Sequence, residues 1–225
     1  MKKSKNKIFI ACDSTSVSKI RGIIKNSKTN ELKIGYKFGL EFLNSKNGRK
    51  FIKSLKNKII FLDTKLKHIP NTMKSAVNVL KDLKPNYLTV HVSSGLSALK
   101  AVKKVSNRIK IIGVTTLTSL DNNDLKEIGY NKSIKNLVTH QAKLAKKANL
   151  DALVCSVHEI KNVRKFFKKE IITPGISFNK QKNDQKRMAN PHDAFHKYKS
   201  DWLVIGRSLT KGNIKKNLQN LISQI

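Results

Sequence analysis

The stretch KIIFLDTKLKHIPNT, residues 58–72, carries the decisive signal. Its first part, 58–63, is a short apolar run with branched side chains, which reads as a strand buried on both faces. The run ends on charge, at Asp63 and then Lys65. Apolar residues then recur at helical spacing over 69–83. A strand, a charged end and a helix in that order make half of a βαβ unit.

The alternation continues outward in both directions. Strand-like runs lie at 7–12, 32–38, 87–92, 109–114, 152–155, 171–173 and 202–205. Helical spacing recurs at 94–105, 134–148 and 213–225. Repeated βαβ units build a parallel sheet covered by helices. About eight such units in 225 residues sit at the short end of the barrel range, so an α/β fold, a (β/α)8 TIM barrel, is predicted. An open doubly wound sheet is the alternative, but it usually carries a Gly-rich first turn. Here the first strand runs into Cys12, Asp13 and Ser14 without glycine. No Pro/Gly/Ser linker divides the chain, and residues 1–225 read as a single domain.

Apolar residues, at 39%, suffice for a substantial core. Two cysteines exclude a disulfide framework; Cys12 and Cys155 read as small buried apolar residues. No apolar run approaches the roughly 20 residues of a membrane helix. The basic start mimics a signal peptide, but the apolar stretch 8–12 is too short and Asp13 ends it. A cytoplasmic protein with no membrane partner is expected.

The net charge of +33 suggests nucleic acid. Its distribution argues otherwise. All but six of the 47 basic residues are lysine, scattered through nearly every segment, whereas base readers favour arginine forks. Aromatic residues, at 6%, are too few for a single-strand stacking platform. Lysine, asparagine and isoleucine share A/T-rich codons, so the charge reads as compositional background with no nucleic-acid partner. A basic nucleic-acid-binding barrel that has lost catalysis is the contrasting reading.

Polar residues gather at the strand ends, where TIM barrels carry their chemistry. Asp13 ends the first strand. Lys37 ends the second, with Lys33 a competitor in the same region. Asp63 and Lys65 end the third, two residues apart, and so point the same way in an extended chain. His91 lies in the fourth strand and reads as a core or rim hydrogen-bonding residue. Thr118 and Ser119 follow the fifth, Gly175 the seventh, and Gly206 and Arg207 the eighth. Two lysines and two aspartates on one rim can form an alternating ionic array, which is costly to bury without a function. Gly206 and Arg207 offer backbone N–H groups beside a guanidinium, a combination suited to phosphate. The irregular stretch 177–190 is a candidate lid. His192 and His196 have helical ligand spacing but lack the glutamate of a zinc-protease motif, so they read as a surface helix and no metal site is expected.

Residues 63–72 resemble the central motif of the orotidine 5′-phosphate decarboxylase family, DxKxxDIPxT. Further matches follow in order: ACD at 11–13, KFGLEF at 37–42, VH at 90–91, LTS at 117–119, VCS at 154–156, TPGI at 173–176, DQKR at 184–187 and IGRS at 205–208. The resemblance implies a homodimeric barrel with shared active sites. It implies conversion of orotidine monophosphate (OMP) to uridine monophosphate (UMP), the last step of pyrimidine nucleotide synthesis, without metal or organic cofactor. Lys65 would protonate the carbon that loses CO2, and Asp63 would sit against the departing carboxylate. Lys37 would hold Asp63 and bind a ribose hydroxyl, and Asp13 would bind the ribose. Thr72 would contact the ribose-phosphate side, Thr118 and Ser119 the pyrimidine edge. Gln185 would bridge base and phosphate, and Gly206 and Arg207 would bind phosphate. The KFGLEF match favours Lys37 over Lys33.

Two positions depart from the family. The second aspartate of the motif, which the partner subunit supplies, is His68 here. That makes the Lys37–Asp63–Lys65 group more positive and implies retained nucleotide binding with reduced or re-tuned catalysis. The arginine that follows PGI in bacterial members is Ser177, with Lys180 and Lys182 as nearby cations. Sugar-phosphate decarboxylases and synthases of the same superfamily share the DxKxxD core. They typically bind a metal ion and lack the LTS and DQxR segments.

Overall fold

The computed structural model describes residues 5–178 and 189–225. Among these, eight parallel strands close into a barrel in chain order. They are β1 (Lys7–Ala11), β2 (Lys33–Gly39), β3 (Ile59–Leu66), β4 (Tyr87–His91), β5 (Lys110–Val114), β6 (Ala152–Val154), β7 (Glu170–Ile176) and β8 (Trp202–Ile205). β8 pairs back onto β1, with Val204 opposite Phe9. Helices lie in the connections, among them Val17–Asn26, Pro70–Leu80, Leu96–Val105 and Ile134–Lys147, and Ile214–Ile222 follows β8. The predicted barrel is the observed fold.

Two strands, β3 and β7, run three residues past their expected ends, and both are irregular. Leu62 of β3 pairs with Leu88, but Leu66 pairs with Val90. Three residues of β3 therefore face one residue of β4, Thr89. In β7, Thr173 pairs with Leu203 and Ile176 with Ile205. Gly175, expected after strand seven, lies inside it with φ +76°. Bulges of this kind interrupt the two-residue period that marks a strand in sequence.

Alternation along the strands sorts the core into two layers. Ile8, Ile10, Tyr36, Phe38, Ile60, Leu62, Leu203 and Ile205 belong to the large core cluster shared with the helices. Phe9, Phe61, Tyr87, Ile112, Ala152, Ile172 and Trp202 form a separate cluster that fills the barrel. Phe9 stacks on Trp202 at 4.1 Å and meets Phe61 and Tyr87 edge-on at 4.9 and 5.2 Å. β2 contributes Gly35 opposite Phe9. A β-carbon on Gly35 would lie 2.6 Å from the Phe9 ring, so the glycine makes the space that the ring fills.

Glu170 closes the N-terminal end of the barrel. It accepts hydrogen bonds from Lys110 Nζ at 2.9 Å, Tyr87 Oη at 3.0 Å, Trp202 Nε1 at 3.3 Å and Lys7 Nζ at 3.5 Å. Burial alone would raise the Glu170 pKa. Its donors, led by Lys110, outweigh that and hold it below the usual carboxylate range. Burial, then the Glu170 charge, pushes Tyr87 up to about 12. Cys12 and Cys155 are both buried, as expected. Burial pushes the Cys12 thiol up to about 12, which leaves it unreactive at neutral pH.

Candidate active site

Side-chain alternation sets the site directly on the aromatic layer. On β3, Asp63 stands one inward step above Phe61; on β2, Lys37 stands one inward step above Gly35. Both line a cavity of about 310 Å³, at the small end of the range of small-molecule sites. Asp13, Lys37, Asp63 and Lys65 form one wall, and Leu117 and Thr118 the next. Pro174 and Gly175, then Gly206, Arg207 and Ser208, complete the ring.

The four charged residues form the expected alternating array. Lys37 Nζ lies 3.1 Å from Asp13 Oδ1 and 3.4 Å from Asp63 Oδ2. Lys65 Nζ lies 2.8 Å from the same Asp63 oxygen. The side chains of Lys37 and Asp63 are each 11% exposed, whereas Lys65 is 37% exposed. The inner pair is thus enclosed, and the Lys65 ammonium faces the cavity. Burial opposes charge on both inner groups. The carboxylates of Asp63 and Asp13 overcome it for Lys37, whose pKa lies above the lysine range. Lys37, Lys65 and a Thr89 hydrogen bond overcome it for Asp63, whose pKa lies below the carboxylate range. Both are charged at neutral pH.

The expectation of an extended Asp63–Lys65 pair needs correction. Lys65 adopts φ +48°, a left-handed conformation uncommon for a residue with a side chain. The two side chains meet because of the bulge, not because of strand alternation. Lys65 N–H donates to Thr89 Oγ1 at 2.9 Å, and the Thr89 hydroxyl donates to Asp63 Oδ1 at 3.1 Å. Sequence reasoning missed Thr89. Its signal was one polar residue inside the apolar strand YLTVH, where it is wholly buried.

Lys33 opens β2 opposite Lys7, at the far end of the barrel, so Lys37 is the strand-two lysine of the cavity. Thr118, Gly206 and Arg207 line the cavity as expected; Ser119 is exposed and does not. His68 and Thr72 are exposed and also lie outside the lining. His68 Nδ1 accepts the N–H of Ile69 at 2.9 Å, and Thr72 sits in the first turn of Pro70–Leu80. His91 ends β4, half-buried. Burial, then the Lys67 and Lys65 cations, lowers its pKa against the opposing pull of Asp63, so the imidazole is neutral at neutral pH. Ser177 is buried, and its N–H donates to the Ala189 carbonyl at 3.1 Å. Gln185, Arg187, Lys180 and Lys182 lie outside the described residues, as does most of the 177–190 stretch. His192 and His196 lie on the helix Pro191–His196 with ring centres 4.6 Å apart. Among the described residues, no three His, Cys, Asp or Glu side chains are grouped to hold a metal ion, and no helix is long and apolar enough to cross a membrane.

Known proteins share this architecture and sequence. The family model described as orotidine 5′-phosphate decarboxylase / HUMPS family matches residues 6–217. The orotidine 5′-phosphate decarboxylase of Wolbachia pipientis subsp. Culex pipiens is 41% identical over 192 residues, covering 83% of this chain and 84% of the relative. That of Wolbachia sp. subsp. Brugia malayi is 38% identical over 224 residues, covering 96% and 97%. The crystal structure of orotidine 5′-phosphate decarboxylase from Lactobacillus acidophilus superposes with a TM-score of 0.83 at 25% identity, covering 98% of this chain and 99% of that one. A match across nearly the whole barrel, over the same strands that carry Asp13, Lys37, Asp63, Lys65 and Arg207, places this chain in the orotidine 5′-phosphate decarboxylase / HUMPS family.

Proposed function

We propose that the chain decarboxylates OMP to UMP and CO2, as the last step of pyrimidine nucleotide synthesis, and does so without metal or organic cofactor. One observation carries this reading: the Lys65 ammonium stands 2.8 Å from the Asp63 carboxylate in a cavity that also presents Gly206 and Arg207. A nucleotide with its phosphate at Gly206 and Arg207 extends its base towards Lys65. The Asp63 carboxylate repels the substrate carboxylate and disfavours the ground state. As the carbon–carbon bond breaks, CO2 leaves and its electron pair stays on the ring carbon. The fixed ammonium stabilises that charge while it develops and then supplies the proton. Lys65 regains a proton from water. Lys37 holds Asp63 and, with Asp13, binds the ribose. Thr118 holds the pyrimidine edge, and Gln185 bridges base and phosphate.

In this reading the protein is a cytoplasmic homodimer. His68 and Thr72 serve the partner's cavity, which fits their exposure beside Ile69, itself 63% exposed. His68 Nδ1 accepts a backbone N–H, which leaves the ring proton on Nε2. It therefore offers a donor where the family motif has an acceptor, and it adds no repulsion to the leaving carboxylate. The scattered lysines steer the anionic substrate rather than bind nucleic acid.

The deciding experiment is CO2 release from OMP by the purified protein, with and without chelator. Turnover unaffected by chelator is expected. Chelator-sensitive turnover would assign the chain to the metal-dependent side of the superfamily. UMP binding without turnover would make it an impaired homologue, and salt-dependent retention on duplex DNA without UMP binding would favour the nucleic-acid reading. His68→Asp should change kcat; equal rates would remove position 68 from the chemistry.

A further inference from the structure

We infer that Thr89 is a positioning residue for the Asp63–Lys65 pair, holding both groups through one hydroxyl. The inference rests on the reading of that pair as the reacting groups. Where β3 bulges, Thr89 is the one β4 residue facing residues 63–65, and it bonds to all three. Thr64 Oγ1 donates to the Thr89 carbonyl at 3.1 Å. Lys65 N–H donates to Thr89 Oγ1, and Thr89 Oγ1 bonds Asp63 Oδ1.

The direction of this chain follows from chemistry alone. A backbone N–H only donates, so it meets a lone pair of the hydroxyl. An ionised carboxylate only accepts, so the single hydroxyl proton goes to Asp63. No other rotamer of that proton satisfies both neighbours in a wholly buried position. Two consequences follow for the site. Asp63 Oδ1 is occupied, which turns Oδ2 towards Lys37 and Lys65 together. The Lys65 backbone is held at φ +48°, a conformation that its side chain disfavours and that a bond to its N–H counteracts. The hydroxyl thus sets the rotation of the carboxylate and the origin of the lysine side chain at once.

Thr89→Val removes the hydroxyl at constant shape, Thr89→Ala removes it with less bulk, and Thr89→Ser keeps it. With the proteins shown folded by thermal melting, Val and Ala should lower kcat for CO2 release by roughly 10–100-fold, the scale of a misplaced catalytic group. UMP affinity should stay within about threefold, because the nucleotide contacts are untouched, and Ser should retain most of the activity. Val or Ala matching wild-type kcat, or Ser failing as they do, overturns the inference. A merely structural role would lower melting temperature and affinity without this kcat-selective pattern, and that result overturns it too. A crystal structure of Thr89→Ala, or of Thr89→Val if it folds, tests the positioning independently of turnover. Lys65 should leave the left-handed region or Asp63 should rotate away from it; unchanged geometry refutes the inference. An inactive wild type would instead count against the proposed function, with the crystallographic comparison still deciding the role of Thr89.

Discussion

Gly35→Ala should destabilise the barrel through one contact. The new β-carbon would stand 2.6 Å from both Cδ1 and Cε1 of Phe9 and 3.1 Å from Ile59 Cγ2. Carbon atoms pack best at about 3.5–4.0 Å, so the shortfall against the ring is about 1 Å. Phe9 has little room to retreat: Trp202 lies 4.1 Å behind it, and Phe61 and Tyr87 hold its other sides. Gly35 is not among the glycines with positive φ, so the penalty is steric rather than conformational. Overpacking of this kind costs about 1–3 kcal/mol. The lower chain entropy of unfolded alanine offsets about 0.4–1 kcal/mol, so a mid-range overpacking cost of about 2 kcal/mol leaves a net loss of about 1–2 kcal/mol. In a chain of this length 1 kcal/mol moves the midpoint by about 2–4 °C, so the melting temperature should fall by about 2–8 °C. Thermal melting at fixed protein concentration measures it. Adding Phe9→Leu supplies the control: the double variant should lose less than the two single variants together, by about 0.5 kcal/mol or more. An unchanged or higher melting temperature for Gly35→Ala, or strict additivity in the double variant, would refute the steric argument.

Three other outcomes are expected. Lys65→Ala should lower kcat by about 10²–10⁴, the usual contribution of a positioned proton donor, while UMP still binds; single-turnover CO2 release checks it. Arg207→Ala should raise KM about 10–100-fold, consistent with about 1.5–3 kcal/mol for a charge-assisted hydrogen bond to phosphate, and kcat/KM at constant salt should fall with it. Acid stability should depend on Glu170. Its folded-state pKa lies below its ordinary value, so the unfolded chain binds protons first as pH falls. The stabilisation is therefore complete above about pH 4–5 and is lost as pH drops through the folded-state pKa. Glu170→Gln should flatten the acid limb of a denaturation series, and an unchanged limb would refute the assignment.

The barrel was legible in the sequence because parallel strands buried on both faces leave uninterrupted apolar runs, and helices between them leave a different period. Much of the site was legible for a related reason. The barrel brings its strand ends together, so residues at those ends, from Asp13 to Arg207, share one cavity although nearly the whole chain separates them. What escaped depends on facing partners rather than on position along the chain. Thr89 matters because three residues of β3 bulge over it. Gly35 matters because Phe9 lies opposite, and Glu170 because four donors converge on it. A sequence shows none of those pairings. His68 and Thr72 are the opposite case: the motif singles them out, yet both lie outside the cavity of their own chain.

The aromatic layer beneath the ionic array has an electrical consequence. Phe61 lies one inward step below Asp63, and Phe9 and Trp202 extend the same hydrocarbon floor. Such a floor polarises weakly, so the field of the charges above it is not dissipated downward and concentrates in the open mouth. Lys65 and Asp63 behave like electrodes set in an insulating base, felt most strongly by whatever occupies the cavity. Water admitted to that floor would weaken their field even though every charge remained in place.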